Sequence, residues 1–238
     1  WECFLGFGER ERNIEELLSV GYRKVRLPLF SENNLIEFVF QKKIISSYSN
    51  KKVVFVAEQD QFYRNQFGVI DSIQEKFHTS SARKLDQLIY DQNHFNIAIH
   101  VRRGDIVVGQ VNQNPNLLLR WQGNNYFVQV LRNVLLALKT KKVIKIYLFS
   151  QGKPEDFSEF EQFTNIEFCL DMNAQDSFLH MVFADLLITS KSSFSYKPAL
   201  LNRGFKICPK DFWHGYPTTA DWVQADEEGN FNTNALSI

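Results

Sequence analysis

The sequence FNIAIHVRRGD, residues 95–105, decides the fold of this chain. Its first part, residues 95–101, is almost continuously apolar, which is typical of a strand that is buried on both faces of a parallel sheet. An amphipathic pattern follows between Phe127 and Leu138, where apolar residues recur at spacings of three and four. Together they predict the first strand and the first crossover helix of an α/β domain.

The alternation continues along the chain. Further strands are predicted at 143–149, 166–170, 186–189 and 205–208, with helices after Pro154, over 176–184 and ahead of Gly204. This order predicts a parallel sheet with helices on both faces, as in Rossmann-like domains. The tail beyond Lys210 is aromatic and then acidic, and it predicts no element.

A weaker α/β pattern precedes this region. It predicts a helix ending at Gly21, a short strand before Pro28, a helix capped by Ser31, a strand over 53–56, and helices over 70–77 and 82–90. With a boundary near Asn93, the chain is predicted to have two Rossmann-like parallel-sheet domains. The N-terminal one covers 1–92 and is expected to be incomplete, and the second covers 93–238.

The composition argues against several classes of protein. Twenty-seven basic side chains balance 27 acidic ones, so no overall field attracts nucleic acid or an anionic membrane. Cys3, Cys169 and Cys208 are odd in number and far apart, which argues against a disulfide framework and a zinc site. No apolar run approaches the ~20 residues of a membrane span, so a membrane is expected only through a segment outside this chain.

No asparagine begins an Asn-x-Ser/Thr sequon, which favours the cytoplasm. The Golgi lumen is the alternative if an anchor precedes Trp1.

Three polar loops follow predicted strands, at 102–105, 150–152 and 190–195. Ligands of such sheets bind at the carboxyl ends of the strands, so these loops are expected to meet. The third loop starts a helix at Ser192 and Ser193, where free N–H groups and the helix dipole favour an anion, although either serine could simply be an N-cap. The loops predict an anion site.

Arg102 and Arg103 end a strand side by side, so they should point to opposite sides. Arg102 is expected to face the cleft, and Arg103 to support it. Asp105 is a candidate ion-pair partner for either one. His100 lies beside them, although a lone histidine is more often a satisfied core residue than a catalytic one. The chain has no Asp-x-Asp clamp, and we therefore expect no metal.

These residues resemble a known family. IHVRRGD at 99–105 resembles the HxRRGD signature of the α-1,2-, α-1,6- and protein O-fucosyltransferases. ITSKSSFS at 188–195, with ALLNRG at 199–204 and ICP at 207–209, is similar to a segment of the α-1,2 branch, and IYLFS at 146–150 resembles the strand between them. The resemblance covers roughly 96–213. It lacks the family's glycine-rich opening loop, and Tyr196-Lys197 replaces the expected aromatic pair.

The resemblance implies a GT-B-like, inverting and metal-independent transferase that moves fucose from GDP-fucose to a glycan acceptor, α-1,2 to galactose. It implies catalytic roles for Arg102 and Asp105. Donor contacts are implied for His100, Arg102, Arg103, Ser150, Ser192, Ser193, Phe194 and Ser195.

Three alternatives stay open: α-1,6 or protein O-fucosyl transfer, a non-catalytic module that binds a GDP-sugar or a glycan, and an NAD-binding protein. The last needs Gly-x-Gly-x-x-Gly after a strand, and Gly6-Phe7-Gly8 lacks the third glycine.

The general base is not evident. No Asp or Glu lies between Asp105 and Glu155, and Gln110 stands where α-1,6 relatives carry a glutamate. The acceptor proton is therefore expected to pass to water, to a phosphate oxygen, to Asp105 or to an acid of the N-terminal half.

Overall fold

The computed structural model describes residues 1–9, 11–29, 35–57, 69–107, 112–213 and 215–236. Its strands are β1 (Arg23–Arg26), β2 (Val53–Val56), β3 (His94–His100), β4 (Val143–Ser150), β5 (Ile166–Leu170), β6 (Leu186–Ile188), β7 (Phe205–Pro209) and β8 (Trp222–Ala225). Its α-helices are α1 (Glu2–Leu5), α2 (Ile14–Ser19), α3 (Leu35–Ser46), α4 (Ile70–His78), α5 (Pro115–Leu118), α6 (Asn124–Ala137), α7 (Ala174–Phe183) and α8 (Ser193–Leu201). Short 3₁₀ helices cover Ser81–Leu85, Pro154–Phe160 and Thr233–Ala235.

The predicted α/β class and the parallel sheet are confirmed. Strands β3 to β8 form a six-stranded parallel sheet in the order β5-β4-β3-β6-β7-β8, and β1 pairs with β2 in a separate two-stranded parallel sheet. The larger sheet is wound outward from its middle, as in Rossmann-like folds. The order reverses between β3 and β6, which leaves a crevice at their carboxyl ends.

Side chains of the large sheet alternate between two cores. Ile97 and Ile99 of β3 pack with α6 on one face, and Ala98 packs on the other face with residues of α7 and α8 such as Met181 and Ala199. Burial on both faces explains the apolar runs of these strands. It also fixes which strand-end side chains face the crevice.

Residues on both sides of the predicted boundary near Asn93 pack together. Gln74 Nε2 of α4 donates to the carbonyl oxygens of Leu200 at 2.9 Å and Asn202 at 3.2 Å. Phe77 is fully buried and belongs to one hydrophobic cluster with Phe178 of α7. The start of the chain and α4 therefore complete the surroundings of α7 and α8.

Several sequence predictions were wrong in detail. The helix predicted over 82–90 is a 3₁₀ turn and then an extended segment, because Ile89 N–H donates to His180 Nε2 at 3.0 Å. The helix after Pro154 is also 3₁₀, with non-helical dihedrals at Phe157. The tail supplies an unpredicted strand, β8, which pairs in parallel with β7.

The predicted Ser31 cap lies outside the described residues. None of the helices in the described part of the chain combines the length and apolar character that crossing a bilayer requires.

Candidate functional site

A cavity of about 490 Å³ opens where the strand order reverses. We call it the switch-point cavity. Its volume lies within the range of small-molecule sites. It is lined by the ends of β3 and β4 and the starts of α7 and α8, with His100, Val101, Arg102, Arg103, Asp105, Phe149, Ser150, Gln151, Asp171, Met172, Asn173, Ala174, Ser177, Ser192 and Phe194.

Arg102 is fixed at the mouth of this cavity by two neighbours. Its Nη2 donates to both carboxylate oxygens of Asp105, at 2.9 and 3.2 Å, and its Nη1 donates to Ser192 Oγ at 3.1 Å. The side chain of Arg102 is 20% exposed, and that of Asp105 is 60% exposed. A guanidinium has five N–H donors, so this arrangement orients the cation without using all of its donors.

Arg103 is held away from solvent. Its Nη1 donates to the carbonyl oxygens of Arg102 at 2.8 Å and Gln122 at 3.1 Å, its Nη2 donates to Asn124 Oδ1, and the guanidinium lies 4.3 Å from the ring centre of Trp121. Burial lowers its pKa to about 10, so it stays charged at neutral pH. These contacts hold the backbone from which Arg102 projects.

His100 is a buried and neutral residue of this site. Burial away from water lowers its pKa to about 3, with further contributions from the charges of Arg102 and Arg103. Its Nδ1 shares a 2.8 Å hydrogen bond with Ser190 Oγ, and its ring packs against Phe194 at a centroid distance of 5.4 Å. It therefore shapes the cavity as an uncharged imidazole.

The serines of the 190–195 loop differ in position and in hydrogen bonding. Ser192 is the N-cap of α8, and its Oγ accepts the N–H of Phe194 at 3.2 Å as well as the Arg102 bond. Ser195 is fully buried, and its hydroxyl contacts the carbonyl oxygens of Ser190 and Ser192. Ser193 lines a separate, apolar cavity beside α4. Of the four serines predicted to contact a donor, Ser150 and Ser192 line the switch-point cavity, and Ser193 and Ser195 do not.

Two further residues shape the loops around Arg102. Ser150 Oγ donates to the carbonyl oxygen of Val101 at 2.6 Å, which ties the ends of β4 and β3 together. Gly104 has φ of +66°, and a Cβ at this position would collide with Gln151 Oε1. The Arg-Gly-Asp turn therefore depends on glycine in the left-handed region.

One wall of the cavity was not predicted from the sequence. Asp171, Met172 and Asn173 follow β5, and Ala174 begins α7. Asn173 caps this helix, since its Oδ1 accepts Asp176 N–H at 2.9 Å. The same rule that singled out the other loops, a polar segment directly after a predicted strand, could have found it.

Among the described residues, no group of three or more His, Cys, Asp or Glu side chains could hold a metal ion. Gln110, which stands where the resemblance expects a glutamate in α-1,6 relatives, lies outside the described residues. Comparisons of the chain with protein-family models, with curated proteins and with solved structures found no match.

Proposed function

We propose that this chain binds the diphosphate of GDP-fucose in the switch-point cavity and transfers fucose to a glycan hydroxyl, α-1,2 to galactose. The observation that carries the proposal is the guanidinium of Arg102, oriented by Asp105 and Ser192 in the crevice where ligands of doubly wound sheets bind. The proposal includes a GT-B arrangement, with residues 1–92 as the incomplete N-terminal Rossmann-like domain and residues 93–238 as the domain that binds the donor.

The electrostatics of the cavity suit a diphosphate. The α7 and α8 helices both begin at its edge, and the N-terminal ends of helices favour anions. The Asp105 carboxylate is neutralised by Arg102, while Arg103 supplies a second, buried positive charge behind the loop. A phosphate that approaches Arg102 can therefore use charge-assisted hydrogen bonds.

The main electrostatic requirement of the reaction is to stabilise the negative charge that develops on the leaving group. As the bond from the fucosyl carbon to the β-phosphate breaks, negative charge collects on GDP and the sugar becomes oxocarbenium-like. A preorganised cation at the phosphate stabilises this state more than the ground state. We assign that role to Arg102, and we assign its orientation to Asp105.

A second candidate function is binding of a GDP-sugar without turnover. It is favoured by one observation: Asp105 is paired with Arg102, and burial lowers the pKa of His100 to about 3, so neither residue is suited to accept the acceptor proton. The two functions differ only in whether the bound donor is consumed.

The experiment is to incubate the full chain with GDP-fucose and a galactose-terminated acceptor such as N-acetyllactosamine, and to follow GDP release and the product's linkage by NMR. We expect an α-1,2-linked product, and Arg102→Ala should lower kcat about 100-fold. Tight GDP-fucose binding without turnover on any galactose-terminated acceptor would favour the binding module. Absence of binding would overturn both functions.

A further inference from the structure

A second cavity, of about 860 Å³, lies on the other side of the start of α7. Met172 lines both cavities. In the first turns of α7, Ala174 and Ser177 face the switch-point cavity, whereas Gln175 and Asp176 face the second one. A ligand in the second cavity would therefore lie on the other side of Met172 and the start of α7 from the proposed donor.

The second cavity offers the surface that a neutral, hydroxyl-rich ligand needs. Trp1 lines this cavity and is held edge-on by Phe4 and Phe178, each at a centroid distance of 5.5 Å. An indole held in this way is a rigid apolar platform for the C–H face of a pyranose ring. The amides of Gln87 and Gln175, both exposed, can donate to and accept from sugar hydroxyls.

The charges of this cavity disfavour a second nucleotide. Its arginine, Arg83, is 92% buried as a side chain and forms an ion pair with Asp86 at 3.3 Å. His180 is bonded on both ring nitrogens, and burial lowers its pKa, so it is neutral. Because the charges of Arg83 and Asp86 cancel, the carboxylate of Asp176 gives the side chains of the lining a net negative charge. This charge repels phosphate, and it is compatible with neutral sugars.

Asp171 adjoins Met172, which lines both cavities. It precedes Met172, lines the switch-point cavity, and is exposed. Its carboxylate makes no hydrogen bond or ion pair to the described residues. Its φ of +57° places it in the left-handed region, which aspartate and asparagine adopt more readily than other non-glycine residues.

We propose that the second cavity binds the acceptor glycan and that Asp171 is the catalytic base. This inference rests on the proposed transferase function. The acceptor hydroxyl oxygen bonds to the fucosyl carbon, the bond from that carbon to the β-phosphate oxygen breaks, its electron pair stays on GDP, and the hydroxyl proton passes to a carboxylate oxygen of Asp171. The base is thus a residue after β5 and neither Asp105 nor an acid of the N-terminal half.

The test of the base uses Asp171→Asn, because asparagine tolerates the left-handed region and should leave the backbone unchanged. We expect kcat to fall at least about 100-fold. GDP affinity, measured by calorimetry, should be unchanged, and the rate should lose its decline at low pH. Wild-type kcat, or a decline at low pH that persists in the variant, would overturn the role of Asp171.

The test of the acceptor cavity uses the double variant Gln87→Ala and Gln175→Ala, with Gln92→Ala as the matched control, since Gln92 is exposed and does not line the cavity. Each protein is applied to an array of neutral oligosaccharides in the presence of saturating GDP. The double variant should bind the best oligosaccharide about tenfold more weakly, which is about 1.4 kcal/mol, and the control should match wild type.

The outcomes separate the two proposals. If wild type binds no oligosaccharide, or the double variant binds as well as wild type, the acceptor cavity is refuted while GDP binding can still stand. If GDP-fucose does not bind at all, the proposed function fails, whatever the array shows.

Discussion

Replacement of the two adjacent arginines should separate binding from stability. Arg102→Ala removes an ion pair to a carboxylate that is 60% exposed, and Ser192 keeps its bond to the N–H of Phe194. Exposed pairs of this kind contribute less than about 1 kcal/mol, so the fold should survive. Loss of the guanidinium from the phosphate should instead cost roughly 3 kcal/mol of transition-state stabilisation.

Arg103→Ala should have the opposite effect. It removes bonds to the carbonyl oxygens of Arg102 and Gln122 and the contact with the Trp121 ring. These charge-assisted bonds and the cation–π contact together contribute at least about 3 kcal/mol at such a buried position. The free energy of unfolding should fall by at least that amount, and the folded variant should lose less GDP affinity than Arg102→Ala, because Arg103 acts on the phosphate only from behind the loop.

The assay for both variants is urea denaturation, followed by calorimetric titration with GDP under conditions where each is folded. The reasoning would be refuted if Arg102→Ala bound GDP like wild type, or if Arg103→Ala were as stable as wild type.

Three further perturbations test the surroundings of the site. Gly104→Ala should destabilise the protein by about 1–2 kcal/mol because of its positive φ, with partial recovery when Gln151→Ala removes the collision; equal urea midpoints for Gly104→Ala and wild type would contradict this. The pKa of His100 is lowered in the folded state to about 3, whereas in the unfolded chain it is near 6.5. Keeping this imidazole neutral therefore costs no stability above pH 6.5. As pH falls from about 6.5 toward about 3, the free energy of unfolding should decrease by up to about 1.4 kcal/mol per pH unit. In His100→Gln the free energy of unfolding should fall less steeply with decreasing pH than in wild type. The same pH dependence in both proteins would argue against a buried neutral imidazole. Asp105→Asn should keep measurable turnover with an unchanged pH profile, because an amide oxygen can still accept from Arg102; complete loss of turnover with intact GDP affinity would make Asp105 the base.

The central strands were predictable because burial on both faces leaves a continuous apolar run, as in residues 95–101. The edge strand β8 was not, because it has four residues and a solvent-exposed Gln224. Its position depends on a long-range pair between the buried ammonium of Lys206 and Asp221, which a local pattern does not reveal. The extended segment that ends at Tyr90 similarly depends on the distant His180.

Part of the site was predictable from the rule that strand-end loops of a parallel sheet meet at one edge. That rule brought together Arg102 and Ser192, which are 90 positions apart in the sequence. It could not separate Ser192 from Ser193, since the first turn of a helix points successive side chains in different directions. Asp171 was missed because its loop carries neither an arginine nor a run of serines, and its role depends on where α7 begins.

The central claim is that the switch-point cavity binds the diphosphate of a GDP-sugar through Arg102. The most direct measurement is calorimetric titration of the full chain with GDP and GDP-fucose, with UDP in parallel, each with and without EDTA. The account predicts that GDP and GDP-fucose bind with an affinity that EDTA leaves unchanged, that UDP binds more weakly, and that Arg102→Ala abolishes the signal while remaining folded. Absence of GDP binding to the folded wild-type chain, or equal binding by Arg102→Ala, would contradict it.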